Sequence, residues 1–142
     1  MYKRILVAID LNDKDAWLRP LVAGVEHARK FGAELIVLTV IREIEAIVRA
    51  KAGPLAYEII SANLESELAQ CIREVNASDL RPRLVVAHGA SIYAEILGIA
   101  EEAGVDLIVV GSHRPAMKDY LLGTNASRVV RHAKCSVLVA RE

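Results

Sequence analysis

Residues 107–140 read LIVVGSHRPAMKDYLLGTNASRVVRHAKCSVLVA, and this stretch decides the fold. An apolar, β-branched run, Leu107–Val110, stops at Gly111. An irregular segment follows, and Gly123 precedes Thr124-Asn125 and a short helical pattern over Ala126–His132. A further apolar run, Ser136–Ala140, comes next. A strand apolar along its whole length is one buried on both faces, as in parallel sheets. A buried strand, a loop bracketed by glycines and a capped helix are a common way of holding phosphate groups.

Working outward, the same alternation recurs. Ile5–Ile9, Leu35–Val40 and Leu84–Ala87 are apolar runs that read as strands. Between them lie amphipathic patterns over Ala16–Phe31, ended by Gly32, over Leu55–Val75, and over Ile92–Ala103, closed by Gly104. Asn12 or Asp13 is placed to cap the first helix. Pro20 falls early in it, where a missing N–H costs least, or else marks its true start. Ile41–Ala52 has helical spacing but many charges, and Gly53-Pro54 breaks it. The order βαβαβαβαβ implies an α/β fold: one domain over residues 1–142, with a parallel sheet covered by helices on both faces.

Composition narrows the function. The 142 residues are 54% hydrophobic and 25% charged, which suits a globular domain and argues against disorder. Lys+Arg and Asp+Glu are 18 each, and aromatics only 4%. Neither a basic surface for a phosphate backbone nor a base-stacking platform is expected, so nucleic acid is not expected as a partner. The apolar run near the N-terminus is too short for a signal-peptide core or a membrane span, and no other run approaches 18 apolar residues. The expectation is a cytoplasmic protein with no membrane insertion. Cys71 and Cys135 read as packing residues, and no Cys/His spacing suggests a metal site.

In open parallel sheets, ligands bind beyond the carboxyl ends of the strands, where the strand order reverses. Asp10 ends the first strand, and either accepts hydrogen bonds from ribose hydroxyls or caps the next helix. Gly111 either admits a ligand closely or simply makes a turn. Gly123-Thr124-Asn125 is either an anion site at a helix N-terminus or an ordinary cap. Arg114 and Lys118 lie in the intervening loop, where cations suit phosphates. Arg128 and Arg131 follow on the helix; each of these cations could instead be solvated surface, the favoured reading for Lys118, Arg128 and Arg131. His113 is a phosphate donor, a proton carrier, or a turn residue without chemistry. The chain has no GxxxxGK[ST] loop, no GxGxxG after the first strand and no GxSxG elbow, and the third strand does not end on an acid.

These residues resemble the universal stress protein family along the whole chain. The resemblance is carried by KRILVAID (3–10), ELIVLTVI (34–41), HGASIYAEILGIAEEAGVDLIVVGSH (88–113) and LLGTNASRVVRHAKCSVLVAR (121–141). It implies an open five-stranded parallel sheet in the order 3-2-1-4-5, which sets Asp10 beside Gly111. Nucleotide-binding members carry Gly-x-x-Gly, nine residues, then Gly-Ser/Thr. Gly111 matches the first glycine and Gly123-Thr124 the final pair, with Asn125 following. Asp10 matches the ribose-contacting acid, Val40 the residue beside adenine, and Val110 the residue before the first glycine. Arg114 replaces the second glycine, and only eight residues, Pro115–Leu122, follow it before Gly123. Arginine narrows the backbone path but adds a guanidinium able to bind phosphate. The Ser112-His113-Arg114-Pro115 variant resembles a subgroup containing nucleotide binders and transporter-linked proteins.

The resemblance thus implies an ATP-binding regulatory protein, with Mg²⁺ as the companion ion and a transporter or regulatory protein as partner. It also implies a homodimer through strand five, Cys135–Arg141. Two alternatives stay open. One is a slow ATPase or self-phosphorylating enzyme using His113 or Thr124, although no catalytic residue is singled out. The other is a dimeric interaction module without nucleotide.

Overall fold

A computed structural model of the chain describes residues 1–42, 51, 54–112 and 122–141. Five parallel strands form one sheet: β1 (Arg4–Ala8), β2 (Glu34–Arg42), β3 (Arg83–Gly89), β4 (Leu107–Gly111) and β5 (Ser136–Ala140), in the order β3-β2-β1-β4-β5. The connecting helices are α1 (Lys14–Phe31), α2 (Pro54–Glu74), α3 (Ile92–Glu102) and α4 (Thr124–His132), with a 3₁₀ turn at Ser78–Leu80. The expected α/β class, strand order and helix placement are all present.

The alternation of side chains along β1 explains the two layers. Ile5 and Val7 join Leu21, Val25 and Ala28 of α1 and Leu68 and Ile72 of α2 in one core. Leu6 points the other way, joining Ile96 and Ala100 of α3 and Ala126 and Val129 of α4. Each fully buried Leu or Val of this kind contributes roughly 1.5–3 kcal/mol. Gly24 lets α1 lie against β1, since a Cβ there would run into the Val7 side chain.

Helix α1 starts two residues before the apolar pattern. Asp13 is its cap, and its carboxylate accepts the Asp15 N–H at 2.9 Å. Pro20 is therefore neither the helix start nor within the first turn. It lies deeper and fully buried, where it cannot donate to the Ala16 carbonyl. β3 is longer than its apolar core because an edge strand tolerates Arg83 and His88 on its exposed positions. Of the ambiguous segment 41–52, Ile41 and Arg42 complete β2, and residues 43–50 and 52 lie outside the described residues.

The two ends of the sheet differ. At the N-terminal end the Asp106 carboxylate accepts the Lys3 and Arg4 N–H groups at 2.9 and 3.0 Å. Arg4 donates in turn to Glu34 and to the Ala103 carbonyl. These bonds tie β1, β2 and β4 together. At the C-terminal end β1 and β4 send their chains to opposite faces, and a crevice opens between them.

Candidate functional site

The crevice begins where β1 stops. Its register with β2 ends at Ala8 and Leu38, and the Ile9 N–H donates to the Leu38 carbonyl at 2.9 Å. The buried Thr39 hydroxyl donates to the Ile9 carbonyl at 3.0 Å, fixing the point of departure. The chain then turns at Asp10, whose Oδ1 accepts the Asn12 N–H at 2.9 Å. This settles one alternative: the helix cap is Asp13, and Asp10 closes the turn before it.

β2 runs on to Arg42 beyond the end of β1. The N–H and C=O of a strand residue point to the same neighbouring strand, and alternate residues share a side. Leu38 presents its carbonyl to the β1 side. Val40, two residues on, turns its N–H and C=O to that side as well, past the last residue of β1. Buried backbone groups need partners. Val40 thus offers a donor and an acceptor, side by side, to whatever fills the crevice.

The opposite wall is β4 and α4. Val110 is buried, and Gly111 follows it as the last residue of the strand. A Cβ on Gly111 would stand 3.1 Å from the Ala16 carbonyl oxygen and 3.4 Å from Pro20 Cγ, so a side chain there would press on the backbone of α1. Ser112 turns to β5, its N–H and its hydroxyl donating to the Ala140 carbonyl at 3.1 and 3.4 Å. Gly123 caps α4 with φ −57° and ψ 157°, and no side-chain hydrogen bond closes that helix end. Its φ is one that any residue adopts. Among the described residues the nearest atom to an added Cβ is the Ser112 carbonyl oxygen, 4.0 Å away. The first-turn N–H groups of α4, with the positive end of its dipole, open on the crevice.

The result is a cleft of about 550 Å³, within the size range of small-molecule sites. Seven expected residues line it together: Asp10, Val40, Val110, Gly111, Gly123, Thr124 and Asn125. His113, Arg114 and Lys118 lie outside the described residues.

The same cleft includes residues not expected to line it. Ala90, Ser91 and Ile92 bring in the start of α3, and Arg42 and Arg128 add two cations. Arg128 had the look of solvated surface. Its spacing of four residues from Thr124, one helical turn, was the available signal. The Arg128 guanidinium sits 5.1 Å from the centre of the Tyr93 ring, and His132 stacks on that ring at 6.0 Å.

Nucleophilic chemistry finds little support in the cysteines. Burial pushes the Cys71 thiol up to about 11, with Glu74 and Glu67 adding to the effect, and burial raises Cys135 as well. Both are free thiols. Among the described residues no three His, Cys, Asp or Glu side chains form a group able to hold a metal ion, and no helix is long and apolar enough to cross a membrane.

The family model for the universal stress proteins matches residues 1–141. The chain belongs to the universal stress protein family. It is 30% identical over 152 residues to universal stress protein YxiE of Bacillus subtilis, covering 99% of this chain and all of that one. Universal stress protein G of Shigella flexneri is 27% identical over 147 residues, with the same coverage. Among solved structures, the hypothetical protein PH0823 superposes with a TM-score of 0.76 at 26% identity, covering 100% of this chain and 97% of the other. More distant universal stress proteins share the fold. One is in complex with cAMP (TM-score 0.62, 20% identity, covering 99% of this chain and 97% of that one). Another, from Archaeoglobus fulgidus, is in complex with dAMP (TM-score 0.64, 20% identity, covering 98% of each).

Proposed function

We propose that the cleft binds an adenine nucleotide, with ATP as the ligand, and that the protein is a nucleotide-dependent regulator. The observation that carries this is the backbone of Val40. Adenine presents an acceptor, N1, next to a donor, the N6 amino group, and the Val40 N–H and C=O are their complement. Guanine has a donor at N1 and an acceptor at O6, and so meets Val40 with like groups opposed. The apolar side chains of Val40 and Val110 flank the ring. Asp10 accepts from the ribose hydroxyls, and the phosphates lie at the N-terminus of α4, against Gly123, Thr124 and Asn125. Structures of the same fold holding cAMP and dAMP support this class of ligand. Mg²⁺ fits as a companion of the phosphates, since that ion keeps several waters and needs few protein ligands.

The test is displacement of a fluorescent adenine nucleotide. ATP competes and GTP does not, by a margin of roughly tenfold or more for the opposed pair at Val40. Equal competition by the two would remove the assigned base contact.

The regulatory part of the reading needs a second protein surface. Among the described residues β5 lies at the end of the sheet and pairs on one side only, with β4, leaving its other edge open to a partner. An open edge of half-buried residues is suited to pairing with a second copy. The proposed homodimer joins through Cys135–Arg141, and a transporter or other regulatory protein reads its nucleotide state. Sedimentation at twice the 15.5 kDa chain mass is the expected result, and a monomer at micromolar concentration would contradict it.

A further inference from the structure

We infer that Arg128, held by Tyr93, is the residue that reads the phosphate charge of the ligand and so separates nucleotides from nucleosides. The inference rests on the adenine-nucleotide reading of the cleft. Arg128 stands in the second turn of α4, four residues after Thr124, so the two share a helix face. A long side chain on a helix leans back over the turn before its own Cα. Such a lean runs toward the helix start, and Arg128 lines the same cleft as Gly123, Thr124 and Asn125.

Tyr93 decides what this cation can do. The guanidinium carbon lies 5.1 Å from the ring centre, within the range of a cation–π contact. Such a contact engages no oxygen acceptor, so the N–H donors not turned to the ring remain for a ligand. It also removes rotamers that an unsupported arginine would sample. Other arginines in the molecule are used differently. Arg4 spends its donors on Glu34 and the Ala103 carbonyl. Arg29 spends its own on Asp79 and the Asn76 carbonyl. Among the described residues no carboxylate pairs with Arg128. It is a restrained cation with open donors, beside a helix end that favours anions.

Charge is also ordered across the cleft. Asp10 puts a carboxylate at the end of β1, and Arg128 puts a cation on α4. A ligand with hydroxyls at one end and a phosphate at the other matches that order. Lysine at position 128 would keep the charge and lose both the planar fork and the stacking. Tyr93 is a positioning residue in this scheme, since it acts on the ligand only through Arg128.

The experiment measures affinities of the full chain for adenosine, AMP and ATP by calorimetry. Arg128→Gln weakens AMP and ATP about ten- to hundredfold, the range expected for a charged hydrogen bond to phosphate. Its affinity for adenosine stays that of the wild type. Arg128→Lys recovers only part of the loss. Tyr93→Phe, which keeps the ring face, binds as wild type. Tyr93→Leu weakens the nucleotides and spares adenosine. Arg131→Gln removes the same charge from the same helix outside the cleft and leaves all three affinities unchanged. Arg128→Gln binding ATP as tightly as wild type would overturn the inference. So would equal weakening of adenosine and ATP, the mark of a side chain that merely joins α3 to α4. Wild-type protein that binds none of the three ligands would instead remove the adenine-nucleotide reading, and this inference with it.

Discussion

Placing a carboxylate at the cap of α4 should separate stability from binding. Gly123→Asp keeps a φ of −57° that any residue adopts, and its side chain enters space where the nearest described atom is 4.0 Å away. Asp is as good an N-cap as any residue and exceeds Gly by a few tenths of a kcal/mol. The carboxylate would accept the first-turn N–H groups that now have no side-chain cap. Stability should therefore hold or rise slightly. Binding should collapse, because the carboxylate occupies the donors and repels the phosphates. The lost interactions are the helix dipole, about 0.3–1 kcal/mol, and at least one charged hydrogen bond, about 1.5–3 kcal/mol. Their sum, about 2–4 kcal/mol, corresponds to a roughly 30- to 1,000-fold loss of ATP affinity. Gly111→Ala is the counterpart. Its methyl meets the Ala16 carbonyl at 3.1 Å and the buried Pro20, neither of which can swing aside. Overpacking of that kind costs about 1–3 kcal/mol, lowering Tm by several degrees. Thermal unfolding and ATP titration of both variants are the assays. A Gly123→Asp protein that binds ATP as wild type, or is destabilised as much as Gly111→Ala, would refute this assignment of the two glycines.

Two further outcomes follow from the electrostatics. The Cys71 thiol, raised to about 11 by burial and only 5% exposed, should resist a thiol reagent at pH 8 until the protein unfolds. Native labelling as fast as that of a free thiol would contradict its place in the core. Arg29 clamps the 3₁₀ turn to α1 through paired hydrogen bonds to Asp79 at 2.6 and 2.9 Å, and these hold the Asp79 carboxyl below its ordinary value. The folded state thus binds that proton less readily than the unfolded chain. The clamp's stabilisation is complete above the usual carboxylate range, near pH 4, and is lost as pH falls through the folded value. Urea unfolding of wild type and Asp79→Asn should differ at pH 6 and converge at low pH, and a constant difference would argue against the clamp.

The layered sheet was legible because buried parallel strands write themselves as unbroken apolar runs, as Ile5–Ile9 and Leu35–Val40 do. Element ends were less so. The start of α1 depends on the Asp13 carboxylate finding the Asp15 N–H, a contact that apolar periodicity does not encode. β3 extends past its apolar run because an edge strand does not need burial on both sides. The two glycines of the candidate site looked alike in sequence and differ in space. Gly111 answers to the approach of α1, and Gly123 to nothing in the described protein. Arg128 reads as surface in the sequence because a charge on an amphipathic helix ordinarily faces water. Its place in the cleft and its contact with Tyr93, 35 residues earlier in the chain, come only from the fold.

The central claim is that an adenine nucleotide occupies the crevice beyond β1 and β4. The direct measurement is a ¹H–¹⁵N correlation spectrum of the full chain titrated with ATP. Saturable shifts are expected, concentrated at the amides of Val40, Gly111, Gly123, Thr124 and Asn125. The Val40 amide should move downfield as its N–H takes up a hydrogen bond. Amides of α2 and the 3₁₀ turn, on the far side of the sheet, should stay still. A spectrum unchanged by millimolar ATP, or saturable shifts confined to residues outside this crevice, would contradict it.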